Sequence, residues 1–209
     1  MKFIAFEGVD GSGKTSVGQS LTELVQGHYL STPGEQFKPI RKYINLCDTE
    51  TKFLFYLSSV MDASQKIGEI IQFRDVVCDR YLWSSLVSHG VDTGLGYEGL
   101  ILKSENLVRN IREPDLTVLL TVSEEEQIKR MYGRGNISVN DKVCLEDAQH
   151  RMRFRDLYED VATERDWFVI DTTDQEAGRV AVKIYQHLFG LDVSETNPGE
   201  IVVGQFPFK

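Results

Sequence analysis

The run FEGVDGSGKTS, Phe6 to Ser16, decides the reading of this chain. From Gly8 to Thr15 it fits GxxxxGK[ST], with Val9, Asp10, Gly11 and Ser12 between the fixed glycines, Gly8 and Gly13. Glycines let the backbone curl until successive N–H groups face inward as an anion nest. A helix starting near Lys14 adds its positive end. The Lys14 ammonium spans the β- and γ-phosphates of a bound triphosphate, and the Thr15 hydroxyl is a ligand for Mg²⁺. A chance glycine turn is the plain alternative, and the flanks argue against it. KFIAFE (2–7) is apolar and β-rich, so it reads as a buried strand. TSVGQSLTELVQG (15–27) places Val17, Leu21, Leu24 and Val25 on one helical face, with Gly27 as a stop. Strand, glycine loop and helix in that order predict ATP contacts from Gly8, Asp10, Gly11, Ser12, Gly13, Lys14, Thr15 and Ser16.

Working outward, apolar strands alternate with helices along the chain. A turn falls at Pro33-Gly34, and 39–46 reads as a short helix. Thr49 to Phe73 is a long helix, and Val76–Cys78 is a short apolar strand before a charged corner. Helices at 82–89 and 99–111 flank a glycine-rich turn. DLTVLLTV (115–122) is the clearest strand after the first. A helix capped by Ser123 follows, then a polar loop, NISVNDK (136–142), and a long helix, LEDAQHRMRFRDLYEDVATERD. WFVID is a last strand and QEAGRVAVKIYQHLFG a last helix. The pattern predicts a doubly wound α/β domain over 1–190 with a mainly parallel sheet, and a tail at 191–209 in which EIVVGQF pairs on an edge or drapes over the domain. Ligands of such sheets sit at the carboxyl ends of the strands. The glycine loop, Asp79-Arg80 and Ser123 all fall there.

The 209 residues suffice for one such domain with its own core. A formal net charge of −9 excludes non-specific retention on nucleic acid or an anionic membrane, so a bound polyanion needs a local cluster of cations and N–H groups. Cys47, Cys78 and Cys144 show no metal-ligand spacing and suit a reducing compartment. No cleavable leader precedes the first strand and no apolar run is long enough to span a membrane, so a cytoplasmic location is expected.

FEGVDGSGKTS, DVVCDRYLWSSLVSHG and PDLTVLLTVSEEEQIKRMYGRG together resemble the thymidylate kinase family, which carries FEGxDGxGKT, DRYxxSSxAYQG and PDLxxxLxVxxExxxxRxxxRG leading into a lid. The resemblance runs in order from Met1 to about Tyr158. It implies a nucleoside monophosphate kinase fold with a helical lid at about 134–150, a small-molecule acceptor, dTMP, phosphorylated by ATP with Mg²⁺, and a homodimer. By resemblance, Asp10 faces the acceptor sugar, Arg80 touches the acceptor phosphate, Asp79 supports the Mg²⁺ water shell, Phe55 stacks on the acceptor base, and Arg130 and Arg134 border ATP. Gly11 stands where some members carry a catalytic arginine; members with glycine there supply the arginine from the lid. Lys14, Arg80 and Arg134 are the expected catalytic set.

The chemistry of phosphoryl transfer agrees, since it asks for positioning and for cations that close over the γ-phosphate. Arg134, between Gly133 and Gly135, suits a hinged lid. Lys142, Arg151, Arg153 and Arg155 are further candidates, or else a solvated basic face balanced by Glu146, Asp147 and Asp156. The acceptor side departs from the family. TREPGG is replaced by LSTPGE with Ser31 at the arginine, Thr32 at the glutamate and Glu35 at the second glycine, LFxAAR by LFYLSS with Ser59 at the arginine, and AYQ by Val87-Ser88-His89. Each bidentate arginine lost weakens phosphate binding by about 1.5–3 kcal/mol. Arg41 or Arg74 is a possible substitute, and Ser59, Ser88 and His89 remain candidate acceptor contacts; His89 has a structural role as its alternative. Another nucleotide, nucleoside or small acceptor is therefore a second reading, and a nucleotide-dependent switch a third. The absence of an NKxD element and the basic lid argue against the switch.

Overall fold

Phe3–Glu7, FIAFE, is buried along its whole length, as a strand covered on both faces must be, and it forms the central strand β1. The computed structural model describes residues 1–135 and 139–191, and for 139–141 only the course of the chain; the proposed roles of the tail beyond 191 lie outside the described residues. Around β1 the strands β2 (His28–Ser31), β3 (Val76–Asp79), β4 (Leu116–Thr121) and β5 (Phe168–Asp171) form one parallel sheet in the order β2-β3-β1-β4-β5. Parallel pairing requires crossovers, and the helices supply them.

One face of the sheet carries α1 (Lys14–Leu24) and α9 (Ala177–Phe189), whose Val17, Leu21, Val180 and Ile184 pack on Ile4, Phe6 and Val118. The other carries α3 (Thr49–Ile70), α4 (Leu82–Thr93), α5 (Tyr97–Val108) and α8 (Ala148–Glu164), packed on Phe3, Ala5 and Leu119. Alternate residues of β1 thus feed two cores. At the carboxyl ends of β1 and β4 lies α6 (Glu124–Gly133), capped by the Ser123 hydroxyl, which accepts from the Glu126 N–H. The short α2 (Lys38–Ile44), entered through a 3-10 turn at Glu35–Phe37, lies against α3.

Three expectations are corrected. His28–Ser31 is a strand, where the sequence suggested only a passage from the Gly27 stop to the Pro33 turn; four half-exposed residues at a sheet edge carry little alternation. The polar segment 136–142 is not simply a loop, because α7 (Val139–Glu146) begins within it and ends before Asp147, whose carboxylate caps α8 by accepting from the His150 N–H at 3.0 Å. The lid span 134–150 is accordingly described only in part, since 136–138 lie outside the described residues. The helix from Leu82 runs four residues past His89, to Thr93, where Gly94 stops it in a left-handed conformation at φ 75°.

Candidate active site

The loop between β1 and α1 curls as its glycines allow. Gly8 and Gly11 have φ of 135° and 86°. A Cβ on Gly8 would strike the Leu120 carbonyl, and one on Gly11 would come 3.1 Å from the Gln127 side chain and carbonyl. A side chain at residue 11 would thus need the Gln127 carbonyl of α6 to give by a few tenths of an ångström, in a backbone conformation that favours glycine. Lys14 opens α1 and is buried. Its ammonium donates to the carbonyls of Gly8 at 2.9 Å and Val9 at 2.7 Å, and to the Ser12 hydroxyl at 3.4 Å. Burial lowers its pKa to about 7, with the Arg80 charge adding to the effect.

The end of β3 brings a second group to the loop. Arg80 adopts a left-handed backbone at φ 66°, unusual for a residue with a side chain. Its N–H donates to the Phe6 carbonyl at 2.9 Å, and its carbonyl accepts from the Thr32 hydroxyl at 2.9 Å. This conformation turns the guanidinium back over the loop, 2.5 Å from the Asp10 carboxylate. Arg80 holds the Asp10 pKa down at about 2. Burial works against the Arg80 charge, but the carboxylates of Asp10, Asp79 and Glu7 outweigh it and hold the guanidinium protonated.

Asp79 precedes Arg80. Its Oδ2 accepts from the Thr15 hydroxyl at 2.5 Å and from the Tyr29 phenol at 3.0 Å, while its Oδ1 is buried without a hydrogen-bond partner among the described residues. A hard cation requires oxygen donors of this kind, and an unpaired carboxylate oxygen beside a threonine hydroxyl fits Mg²⁺ with its retained waters.

Glu7 is a site residue that the sequence reading passed over, although it closes an otherwise apolar strand within the quoted motif. Its carboxylate accepts from the N–H groups of Tyr81 and Trp83, both at 3.1 Å, and from the Ser84 hydroxyl at 2.5 Å, thereby capping α4 from β1. Burial raises its pKa, against the lowering effect of the Ser84 hydrogen bond.

Arg130 in α6 and Arg134 just after it differ. Arg130 reaches over Gly13 and is fixed by the Glu126 carboxylate at 2.9 Å and the Thr172 carbonyl at 2.7 Å. Arg134 ends the helix, is exposed, and lies close enough to Asp10 to help lower its pKa. Arg151 is buried and occupied: it pairs with Glu124 at 2.5 Å and donates to the carbonyls of Cys144 at 2.7 Å and Leu145 at 3.0 Å, fastening the end of α7 to the start of α6. It is thus buried rather than part of a solvated face, and its partner is Glu124 rather than Glu146, Asp147 or Asp156. Arg155 donates to Gln127 at 2.7 Å, whereas Lys142 and Arg153 are exposed.

The candidate acceptor residues are not all brought together. Phe55 faces Phe37, ring edge to ring face, with centroids 5.7 Å apart. Ser88 lies one turn from Ser84, the neighbour of Glu7 and Arg80. Ser59 is 1% exposed and its hydroxyl donates to the Tyr56 carbonyl of its own helix, so it presents nothing to a ligand. His89 is buried and stacked on Phe53 at 4.3 Å, about 200° around α3 from Phe55. Burial, with the Lys103 charge, lowers its pKa. Both its ring nitrogens are buried without a hydrogen-bond partner among the described residues, so stacking on Phe53 does not by itself account for His89. Arg74 precedes β3 at the amino end of the sheet, about 16 Å of strand from Asp79, and cannot reach the site. Arg41 remains: its Nε donates to the Tyr56 hydroxyl at 3.2 Å beside the Phe37–Phe55 contact.

A family model described as thymidylate kinase matches residues 6–184. The chain is 32% identical over 191 residues to a probable thymidylate kinase of Methanocaldococcus jannaschii, the alignment covering 89% of this chain and 95% of that protein. It is 29% identical over 176 residues to the thymidylate kinase of Bacillus velezensis, covering 76% and 81% respectively. Among solved structures, that of thymidylate kinase from Candida albicans superposes with a TM-score of 0.70 at 19% identity, covering 90% of this chain and 91% of that one. The thymidylate kinase of Ehrlichia chaffeensis gives 0.64 at 21%, covering 90% and 98%. These two likenesses bear on the fold alone, and the fold is that of the P-loop nucleoside monophosphate kinases.

Proposed function

The chain belongs to the thymidylate kinase family and is a nucleoside monophosphate kinase; from that premise we propose that it transfers the γ-phosphoryl group of ATP to dTMP through the residues gathered at the carboxyl ends of β1 and β3. The observation that carries the reading is the convergence of Lys14, Thr15, Asp79 and the Asp10–Arg80 pair on one glycine loop. The loop N–H groups and Lys14 hold the β- and γ-phosphates. Thr15 and Asp79 hold Mg²⁺, which supplies charge neutralisation at the phosphate oxygens. Arg80 orients the acceptor phosphate, Asp10 keeps Arg80 in place, and Arg134 closes with the lid to stabilise charge spreading over the transferring group. Arg130 borders the nucleotide and Phe55 the acceptor base. Residues 1–190 act as one kinase domain with its lid over 134–150.

A homodimer follows from the family resemblance. Its support here is the outer face of α3, where Leu54 and Met61 are 53% and 39% exposed. Light scattering should give twice the chain mass of 23.8 kDa. A cytoplasmic location is the companion proposal; among the described residues no helix is long and apolar enough to cross a membrane. Fractionation of cells should place the protein with soluble contents.

The test of function is a coupled ADP-release assay across nucleosides and nucleoside monophosphates. ADP release with dTMP and none with thymidine is expected. Turnover of thymidine or another small acceptor with none of dTMP would replace this reading by the second one, for which Ser31 and Ser59 at the arginine positions are the favouring observation.

A further inference from the structure

The phosphate loop is held from outside as well as curled from within. Three successive carbonyls each meet a donor from another element. The Asp10 carbonyl accepts from Gln127 Nε2 at 2.8 Å, that of Gly11 from Arg130 Nη1 at 3.4 Å, and that of Ser12 from the Thr172 hydroxyl at 3.0 Å. In a trans peptide the C=O and the following N–H point in opposite directions. Holding the Asp10 carbonyl toward α6 therefore turns the Gly11 N–H away from α6.

Gln127 is the telling member. It is 1% exposed, so both halves of its amide need partners, and both have them. Its Oε1 accepts from Arg155 Nη2 at 2.7 Å, which fixes the amide with its N–H₂ toward Asp10; the reverse orientation would oppose donor to donor and acceptor to acceptor. Gly11 leaves room for this approach, since a Cβ there would crowd the Gln127 side chain at 3.1 Å. We propose that Gln127 is a positioning residue for phosphate binding, and that Arg155 acts through it rather than on the phosphates, coupling α8 to the loop.

The proposal rests on ATP occupying this loop, and the experiment separates the two. ATP and dTMP affinities are measured by calorimetry for the wild type, Gln127→Leu, Arg155→Ala, the double variant, Gln127→Glu and Lys14→Ala. Gln127→Leu and Arg155→Ala should each weaken ATP about tenfold, and the double variant no more than either single one, because they break one chain of contacts. The affinity for dTMP should fall less than that for ATP, because Gln127 holds the Asp10 carbonyl whereas the Asp10 carboxylate is what keeps Arg80 in place. Gln127→Glu keeps an oxygen for Arg155 and loses the donor to Asp10. It should therefore bind ATP as weakly as Gln127→Leu, and lose some stability as well, because a carboxylate oxygen then faces the Asp10 carbonyl. Multiplying effects in the double variant, wild-type ATP affinity in Gln127→Glu, or an Arg155→Ala protein that loses turnover with ATP affinity intact would each overturn it. Wild-type ATP affinity in Lys14→Ala would instead overturn the phosphate-loop reading beneath it.

Discussion

Arg80 Nη2 lies 2.5 Å from Asp10 Oδ1, an ion pair that joins the corner after β3 to the phosphate loop. The pair fixes where the guanidinium points, because Asp10 belongs to a loop whose carbonyls are held by Gln127 and Arg130 of α6 and by Thr172. Asp10→Asn should leave Arg80 charged but unaimed. The Michaelis constant for dTMP should rise about five- to tenfold and that for ATP change less than twofold. The pair is insensitive to moderate acid. An acid whose folded pKa is lowered contributes stability above its ordinary value of 3.8 and loses it as the pH falls through about 2. Asp10 should therefore give no acid limb in dTMP binding above pH 4; steady-state kinetics from pH 4 to 9 check both points.

Lys14 titrates where the assay is run. Burial brings it from 10.5 to about 7, so between these values the unfolded chain holds a proton that the folded one has released. Stability due to this residue therefore rises with pH across that window. Phosphate oxygens favour the charged form, and ATP binding at about pH 8 should take up close to one proton. Calorimetry in buffers of different ionisation enthalpy measures that uptake. Lys14→Ala should abolish it and reduce turnover at least tens-fold while the protein stays folded. Proton uptake that persists in the variant would assign the titration to another group.

Legibility in the sequence followed the physics of each signal. The phosphate loop was readable because glycine, lysine and threonine at that spacing have one use, and the strand and helix beside it are strongly periodic. β2 was not, because four residues at a sheet edge have too little alternation. The acceptor side misled at Ser59 for a different reason: a motif position says which residue occupies a place, not which way its side chain faces. Ser59 satisfies its own helix and His89 turns to Phe53. Arg151 was open between solvent and site, and only its contacts with Glu124 and the end of α7 decided it. Gln127 carried no signal, since its partners, Asp10 and Arg155, are 117 and 28 residues distant. Glu7 did carry one: a lone carboxylate ending a buried strand must find donors.

Those donors make Glu7 a stability residue as well as a site residue. Removing its carboxylate leaves two N–H groups of the first turn of α4 and the Ser84 hydroxyl without their acceptor. Glu7→Ala should cost about 2–3 kcal/mol. In a chain of this length that lowers the unfolding midpoint by about 4–12 °C. Glu7→Gln keeps one accepting oxygen and should lose less. Arg80 shares Ser84 with Glu7, so the alanine variant should also bind dTMP more weakly; thermal unfolding and dTMP titration together check it.

Arg134 is distinguished from the other lid cations by position. Arg151 is committed to Glu124, and Arg155 to Gln127. Arg134 ends α6 exposed, beside Gly135 at φ 68°. A cation that engages only when the lid closes lowers the barrier more than it tightens the ground state. Arg134→Ala should thus reduce turnover by about a hundredfold and raise the ATP Michaelis constant only a few-fold. If ATP affinity alone changes, Arg134 is a border residue, and Lys142 and Arg153 are the variants to measure next.

The acceptor phosphate is where this chain should differ in rate from its relatives. Ser31 and Ser59 replace the two arginines expected there, and Arg80 is left to hold a dianion while paired with Asp10. dTMP should be a substrate with a high Michaelis constant. Restoring an arginine at 59 is not a simple remedy, because Ser59 is 1% exposed and a guanidinium there displaces packed neighbours, at about 1–3 kcal/mol of stability. Arg41 is the better placed cation. It lies one helical turn after Phe37 and meets Tyr56 at 3.2 Å, beside the Phe37–Phe55 contact, on a long side chain that can swing. Arg41→Ala should raise the dTMP Michaelis constant about tenfold and leave that of ATP unchanged. Arg41→Lys should recover part of the loss, since charge returns without the fork. Steady-state kinetics with dTMP, dUMP, dCMP and thymidine decide the matter. An Arg41→Ala enzyme with wild-type constants for every monophosphate would leave Arg80 as the acceptor-phosphate ligand. Tight dTMP binding by that variant would show that neither missing arginine needed a replacement.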